Sequence, residues 1–246
     1  MTAARNLLKQ AGNALLDFVY PPVCLVCRAE METGCLCEVC SRGFKPVLPP
    51  FCDRCGVPIA ADQIVCAACA MSAPPFAWTH ALGRYDDTLM HAIHRLKYER
   101  KTALARPLGL LLASSIGSCT RLVSEEYPAF DCMVPVPLHP SRLRQRGFNQ
   151  SELLAKVIAQ EHGWQFDNRN LKRVRFTRPQ ATITAYSERL ANILGAFQTS
   201  EPLAFQGKSV LLIDDVLTTL GTVRECARVL RNAGAKRVCV AALARG

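Results

Sequence analysis

Residues 208–222, KSVLLIDDVLTTLGT, constrain the fold of this chain more than any other stretch. They open with an apolar run at 210–213 that suits a strand buried on both faces, as in a parallel sheet. Asp214 and Asp215 stand at the C-terminal end of that strand. A loop rich in Thr and Gly follows, then a helical pattern over 222–232 with Val223, Cys226, Ala227 and Leu230 turned inward. Gly234 suits the helix stop. Residues 238–243 read as a final strand, and strand, helix, strand implies a right-handed parallel crossover. Ligands of open α/β sheets sit at the C-terminal ends of the strands. There the loop and helix N-terminus offer N–H groups and hydroxyls to an anion. The carboxylates suit sugar hydroxyls, a metal or a developing cation, so the combination points to a phosphorylated ribose. Neighbours on a strand point to opposite sides, so the two acids are not a duplicated general-acid pair. The plainer alternative is a strand-end acid pair that only caps the helix.

Nine of the chain's 13 cysteines lie between Cys24 and Cys69, eight of them in C-x-x-C pairs. The pairs are Cys24/Cys27, Cys37/Cys40, Cys52/Cys55 and Cys66/Cys69. Each pair aims two sulfurs at one ion, and two pairs complete a tetrahedral four-cysteine zinc site. Four pairs imply two structural zinc ions. Gly56, directly after Cys55, suits a knuckle turn. So short a segment buries little core, and structural zinc contributes about 10–16 kcal/mol per site in finger peptides. A disulfide module would need secretion, and thioredoxin-like redox pairs would need a βαβ context that this segment lacks. Joining the pairs in sequence order is the simpler arrangement, with an interleaved one as the alternative. Cys35 is a spare thiol. All-cysteine sites are closed and structural, so no catalysis is assigned to them.

A net charge of +10 favours anionic partners, phosphorylated small molecules or nucleic acid, without choosing between them. No run of about 18 apolar residues occurs, so no membrane span is expected. Residues 5–19 suit a short helix ended by Pro21 and Pro22, read here as a docking helix. Its apolar run carries Asp17 and lacks a small-residue cleavage site, unlike a signal peptide. Cytoplasm is the simplest location for such a cysteine module.

Between these two features, residues 71–80 look like a linker and 81–85 like a short strand. Leu89, Ile93 and Leu96 give a helical face, with Arg95, Lys97, Arg100 and Lys101 at its end. Such residues complement a helix dipole as well as a ligand. Residues 103–116 form a second helix, with Leu104, Leu108, Leu111 and Leu112 on one face. Residues 131–138 read as a buried strand ended by prolines. Arg142, Arg144 and Arg146 then crowd a loop ahead of a helix whose start carries a capping-box pattern, Asn149 with Glu152. That loop faces a ligand in this architecture; a solvated basic loop is the alternative. Residues 164–180 are basic and irregular, and their three scattered aromatics do not by themselves make a stacking platform for nucleic acid. The RPQAT segment at 178–182 leads into a polar helix with Ser187, Glu188, Arg189 and Asn192, and suits a mobile loop over a site.

A phosphoribosyl ligand would set its 5-phosphate on the backbone amides and hydroxyls of Thr218, Thr219 and Thr222. Asp214 and Asp215 would reach the ribose hydroxyls. Loss of pyrophosphate builds positive charge on the ring, which nearby carboxylates stabilise, while Mg²⁺ and basic side chains hold the leaving group.

At this point the residues resemble a known family. The stretch is similar to the phosphoribosyl pyrophosphate motif of type I phosphoribosyltransferases: two acids, Val, any residue, Thr-Thr-Gly, any residue, Thr. The whole chain resembles the ComF family, through the cysteine module, YDDTLMHAIHRLKYER at 85–100, PVPLHPSRLRQRGFNQSELLA at 135–155, RPQATITAYSERLANILGAF at 178–197 and the terminal motif. The resemblance implies an α/β fold of the type I phosphoribosyltransferase kind, a mostly parallel sheet flanked by helices, over 80–246. It implies a double zinc ribbon over 23–72, behind the docking helix read above, which takes in 1–22. It also implies a link to DNA uptake in natural transformation. By it, Val216, Thr218, Thr219, Leu220, Gly221 and Thr222 become the phosphoribosyl pyrophosphate loop, with Mg²⁺ accompanying the ligand. Lys97, Arg146, Asn149, Gln150 and Arg189 become candidates for the pyrophosphate or acceptor side. One departure stands out: the family's glycine after Thr-Thr is Leu220 here, and Gly221 comes one position later. Either the loop register shifts so that Gly221 takes the tight position, or phosphate binding is weaker. The expected function is transfer of phosphoribose to an unidentified acceptor. The alternative is a module that senses phosphoribosyl pyrophosphate or handles single-stranded DNA beside uptake and recombination proteins.

Overall fold

The structure, a computed structural model, describes residues 22–119, 130–177, 188 and 192–246. Two long apolar strands form its centre: β6 (Ser209–Leu217) and β7 (Arg237–Arg245), paired in parallel. They belong to a five-stranded sheet with β1 (Thr79–Arg84), β2 (Cys132–Pro135) and β3 (Gln165–Phe166), in the order β1-β7-β6-β2-β3. Every pairing in it is parallel. A parallel sheet needs cover on both faces, and the near-continuous apolar sequence of β6 and β7 provides for that.

Side-chain alternation along β6 divides the interior into two cores. Leu211 and Ile213 pack with α3 (Asp87–Lys97), α4 (Ala105–Gly117) and α6 (Gln150–His162). Val210 and Leu212 pack with α7 (Gly221–Asn232), through Val223, Cys226, Ala227 and Leu230. Those are the four residues whose spacing predicts an inward face. Gly234 supplies the left-handed stop, at φ +91°. A small antiparallel ladder, β4 (Leu171–Arg173) with β5 (Phe197–Thr199), covers part of the second core.

Several expectations need correction. The basic stretch after β2 is not a loop but a helix, α5 (Pro140–Arg146), with Pro at its start and Gly147 left-handed at its end. The strand expected over 131–138 is regular only at 132–135, although Val136 N still donates to Ile213 O at 2.8 Å. Residues 164–180, expected to be irregular, contain β3 and β4. Leu104, Leu108 and Leu112 are fully buried, whereas Leu111 is only partly so. The stretch at 71–80 is more than a linker: Phe76 and Trp78 are buried, and Ala77 N donates to Val238 O at 2.8 Å. The helix expected over 5–19 and most of the segment at 178–191 lie outside the described residues.

The cysteine segment carries two short helices, α1 (Glu38–Arg42) and α2 (Ala67–Met71), and docks on both cores. Cys24, Val26, Cys40 and Phe44 join the first core; Cys52, Cys55 and Cys69 join the second. The chain between the two halves passes the outer edge of β1. There Arg84 N donates to Lys45 O at 2.8 Å, and a Cβ on Gly83 would come within 2.8 Å of the same oxygen. Among the described residues no helix is long and apolar enough to cross a membrane.

Candidate functional site

Cys24, Cys27, Cys37 and Cys40 form one cluster and Cys52, Cys55, Cys66 and Cys69 another, each with its sulfurs within 4.8 Å of one another. The pairs thus join in sequence order, which removes the interleaved alternative. Tetrahedral zinc with metal–sulfur bonds of about 2.3 Å sets sulfurs about 3.8 Å apart. The measured separations are 3.8 Å for Cys24–Cys40, 3.7 Å for Cys27–Cys37 and 3.6 Å for Cys55–Cys66. Backbone amides of Cys37 and Cys40 point at the sulfurs of Cys24 and Cys37, each at 3.4 Å, as donors to thiolates do. The residues fit two structural zinc ions. Cys35 lies outside the set and donates to Ala103 O at 3.4 Å.

The acid pair closes the C-terminal part of β6. Asp215 is buried, and Lys97 Nζ, in the last turn of α3, lies 2.8 Å from its Oδ1. Burial works against the Lys97 charge, but the Asp215 carboxylate outweighs it and raises the lysine above its usual range. Asp215 Oδ2 is buried with no partner among the described residues. Asp214 has different company: its Oδ1 accepts from Ser151 Oγ at 3.1 Å and from Asp215 N at 2.9 Å. Burial, then the Asp215 charge, pushes Asp214 up to about 7. The two carboxylates do go to different partners, as strand alternation requires.

From the acids a ring of contacts leads through the basic candidates. Ser151 sits in the first turn of α6, beside Gln150. Gln150 Oε1 accepts from Arg146 Nη1, and the Arg146 guanidinium lies 5.7 Å from the Tyr98 ring centroid. Tyr98 directly follows Lys97, which returns to Asp215. The structure therefore sets Lys97 on Asp215 and pairs Arg146 with Gln150, the chain neighbour of the serine that meets Asp214. Arg189 lies outside the described residues. Asn149 is taken up structurally: its Oδ1 accepts from Ser151 N at 3.1 Å and its Nδ2 donates to Val136 O at 3.0 Å. The capping box is half formed, because Glu152 accepts from Asn168 at 2.6 Å instead of closing back on Asn149.

Past Leu217 the loop turns into α7. Thr218 is exposed, Val216, Thr219 and Thr222 are half-buried, and Gly221 is buried. The left-handed residue is Leu220, at φ +63°, and not Gly221. No register shift occurs; leucine occupies the family's glycine position in the glycine-like conformation. Its side chain is buried in the second core, turned away from the open side of the loop. No side chain caps α7, so its first amides are left for another acceptor.

Sequence reasoning missed Ser151, Tyr98, Arg173 and Arg245. Arg173, on β4, is buried and donates from Nη2 to Thr177 Oγ1, while Arg142 Nη2 donates to Thr177 O at 2.9 Å. Both guanidiniums sit below their usual range, first through burial and then through a neighbouring charge, Arg146 for Arg142 and Arg142 for Arg173. The density of arginine in 142–146 and 169–178 was the available signal for this cluster; nothing pointed to Arg245.

Known proteins share this arrangement in sequence. A double zinc ribbon domain matches residues 15–70, and a phosphoribosyl transferase domain matches residues 156–246. DNA utilization protein YhgH of Salmonella typhimurium is 33% identical over 227 residues, covering 92% of this chain and 97% of that protein. Competence protein F of Haemophilus influenzae is 29% identical over 225 residues, covering 90% and 96%. Competence protein ComFC of Streptococcus pneumoniae is 26% identical over 238 residues, covering 90% and 99%. With near full-length similarity at that identity, and with two four-cysteine clusters ahead of a parallel sheet that ends in an acid pair, the chain belongs to the ComF family of double zinc ribbon and phosphoribosyltransferase-domain proteins.

Proposed function

We propose that this protein binds phosphoribosyl pyrophosphate at 214–222 and transfers its phosphoribosyl group to an acceptor during the handling of incoming DNA. The observation that carries the reading is the acid pair, Asp215 buried and Asp214 half-buried, followed after residues 216–220 by a helix with no side-chain cap among the described residues. Asp215 Oδ2, unpartnered among the described residues, suits a ribose hydroxyl or a divalent cation. The 5-phosphate would take the amides and hydroxyls of Thr218, Thr219 and Thr222. Lys97, Arg146 and Gln150 stand on the pyrophosphate or acceptor side. Arg189, by family resemblance, joins them. When bound with the ligand, Mg²⁺ supplies neutralisation of pyrophosphate charge. In the transfer, the bond from C1 to the pyrophosphate oxygen breaks and pyrophosphate leaves with the electron pair. The acceptor's lone pair then forms the new bond to C1. The acid pair stabilises the positive charge that develops between these events. The relatives' names, DNA utilization protein and competence protein, support the setting.

Calorimetry with phosphoribosyl pyrophosphate and Mg²⁺ should show saturable binding that Asp214→Asn with Asp215→Asn removes. No binding by the unaltered protein overturns the reading. A second reading, sensing without transfer, has support in Lys97, which already holds Asp215 in the free protein. Pyrophosphate release, screened across nucleobases, nucleotides and single-stranded DNA, separates the two: release with any acceptor supports transfer, and binding without release supports sensing.

A further inference from the structure

The two four-cysteine clusters are placed differently with respect to the acid pair and its loop. The first lies in the core that α3, α4 and α6 share, which the loop meets only through Val216. The second shares its core with the loop itself: Cys52, Cys55 and Cys69 lie in one cluster with Leu217, Leu220 and Val223. Two arginines join the same parts. Arg224, in the first turn of α7, donates from Nη2 to Ser72 O at 3.3 Å, at the end of the second ribbon. Arg245, at the end of β7, holds the loop entry. Its Nη1 lies 2.8 Å from Leu217 O and 2.8 Å from Thr218 O. Its Nε is buried and unpartnered among the described residues, and Arg245 lines one cavity with Phe51 and Gly56, the residues beside Cys52 and Cys55.

A planar trans peptide sets its N–H opposite its C=O. Fixing the carbonyls of Leu217 and Thr218 on one guanidinium therefore fixes the amides of Thr218 and Thr219 on the other side. Four thiolates on Zn²⁺ leave a net charge of minus two, which favours the half-buried guanidinium in the cavity beside the site. We infer that Arg245 is a positioning residue that makes the phosphate loop depend on the second four-cysteine site more than on the first. The inference rests on the reading of the β6–α7 loop as the 5-phosphate site.

The test uses the full chain and the variants Arg245→Met, Arg245→Lys, Cys66→Ser and Cys37→Ser. Zinc content, calorimetric affinity for ribose 5-phosphate and for pyrophosphate, and hydrogen exchange at 218–222 are measured on the same samples. Arg245→Met should keep both zinc ions, lose at least tenfold in ribose 5-phosphate affinity and keep its pyrophosphate affinity within twofold. Arg245→Lys should recover part of that loss. Cys66→Ser and Cys37→Ser should each lose one zinc, but Cys66→Ser should weaken ribose 5-phosphate and speed exchange at 218–222 more than Cys37→Ser does. Wild-type ribose 5-phosphate affinity in Arg245→Met overturns the inference, as does equal weakening by the two cysteine variants. If Cys66→Ser fails to fold, Arg245→Met decides alone. If the unaltered protein binds no phosphoribosyl ligand, the functional reading fails, and the exchange measurement still decides the coupling.

Discussion

At the scale of single residues, burial and the neighbouring Asp215 carboxylate push Asp214 up to about 7, against the pull of Lys97, the Asp215 amide and the Ser151 hydroxyl. Ribose hydroxyls donate to an ionised carboxylate, so binding draws Asp214 toward its charged form and releases a proton. The sign follows from linkage: a group that holds its proton more tightly in the free site weakens such a ligand below its free-state value. Affinity for phosphoribosyl pyrophosphate should therefore rise by up to tenfold per pH unit toward about 7 and level off above it. Titration in two buffers of different ionisation heat reads the proton release directly; a flat affinity from about pH 5.5 to 8 would contradict it. That the two acids differ was legible in the sequence, because strand alternation separates neighbours. That Lys97 holds Asp215 was not legible from spacing. A lysine in a last helical turn carries no mark to distinguish a strand-end carboxylate partner from its own helix dipole.

At the scale of elements, the turn between β6 and α7 sets two local terms against each other. A leucine held at φ +63° costs about 1–2 kcal/mol, whereas burying its side chain contributes about 1.5–3 kcal/mol. Burial wins narrowly, which accounts for a leucine where the family carries glycine. Leu220→Gly should lower stability by about 1 kcal/mol in denaturant unfolding and change ligand affinity less than threefold, because the lost side chain faces the core. A large gain in affinity would show that Leu220 hinders phosphate after all. Strands β6 and β7 and helices α3, α4, α6 and α7 were legible because each has an apolar side to bury. Helix α5 was not. Its one large apolar residue, Leu143, is exposed, so no periodicity exists. Its only signals were Pro140 at the start and Gly147 past the end.

At the scale of the whole molecule, the zinc segment grips both cores across the outer edge of β1. Metal analysis should find about two zinc ions per chain, and chelation should remove stabilisation on the order of the 10–16 kcal/mol that one such site contributes in finger peptides. The four C-x-x-C pairs announced the metal. Their attachment to opposite faces of the sheet was invisible, since it depends on docking surfaces with no local pattern. Loss of the segment would also uncover β1. An uncovered parallel edge offers unpaired N–H and C=O groups to the next chain. Chelated protein should then scatter light and gain thioflavin fluorescence in proportion to its concentration, whereas the zinc-loaded protein stays clear under the same conditions. On that outcome the chain joining the ribbons is a guard against intermolecular strand addition, and zinc supply would set how concentrated the protein can become before it precipitates.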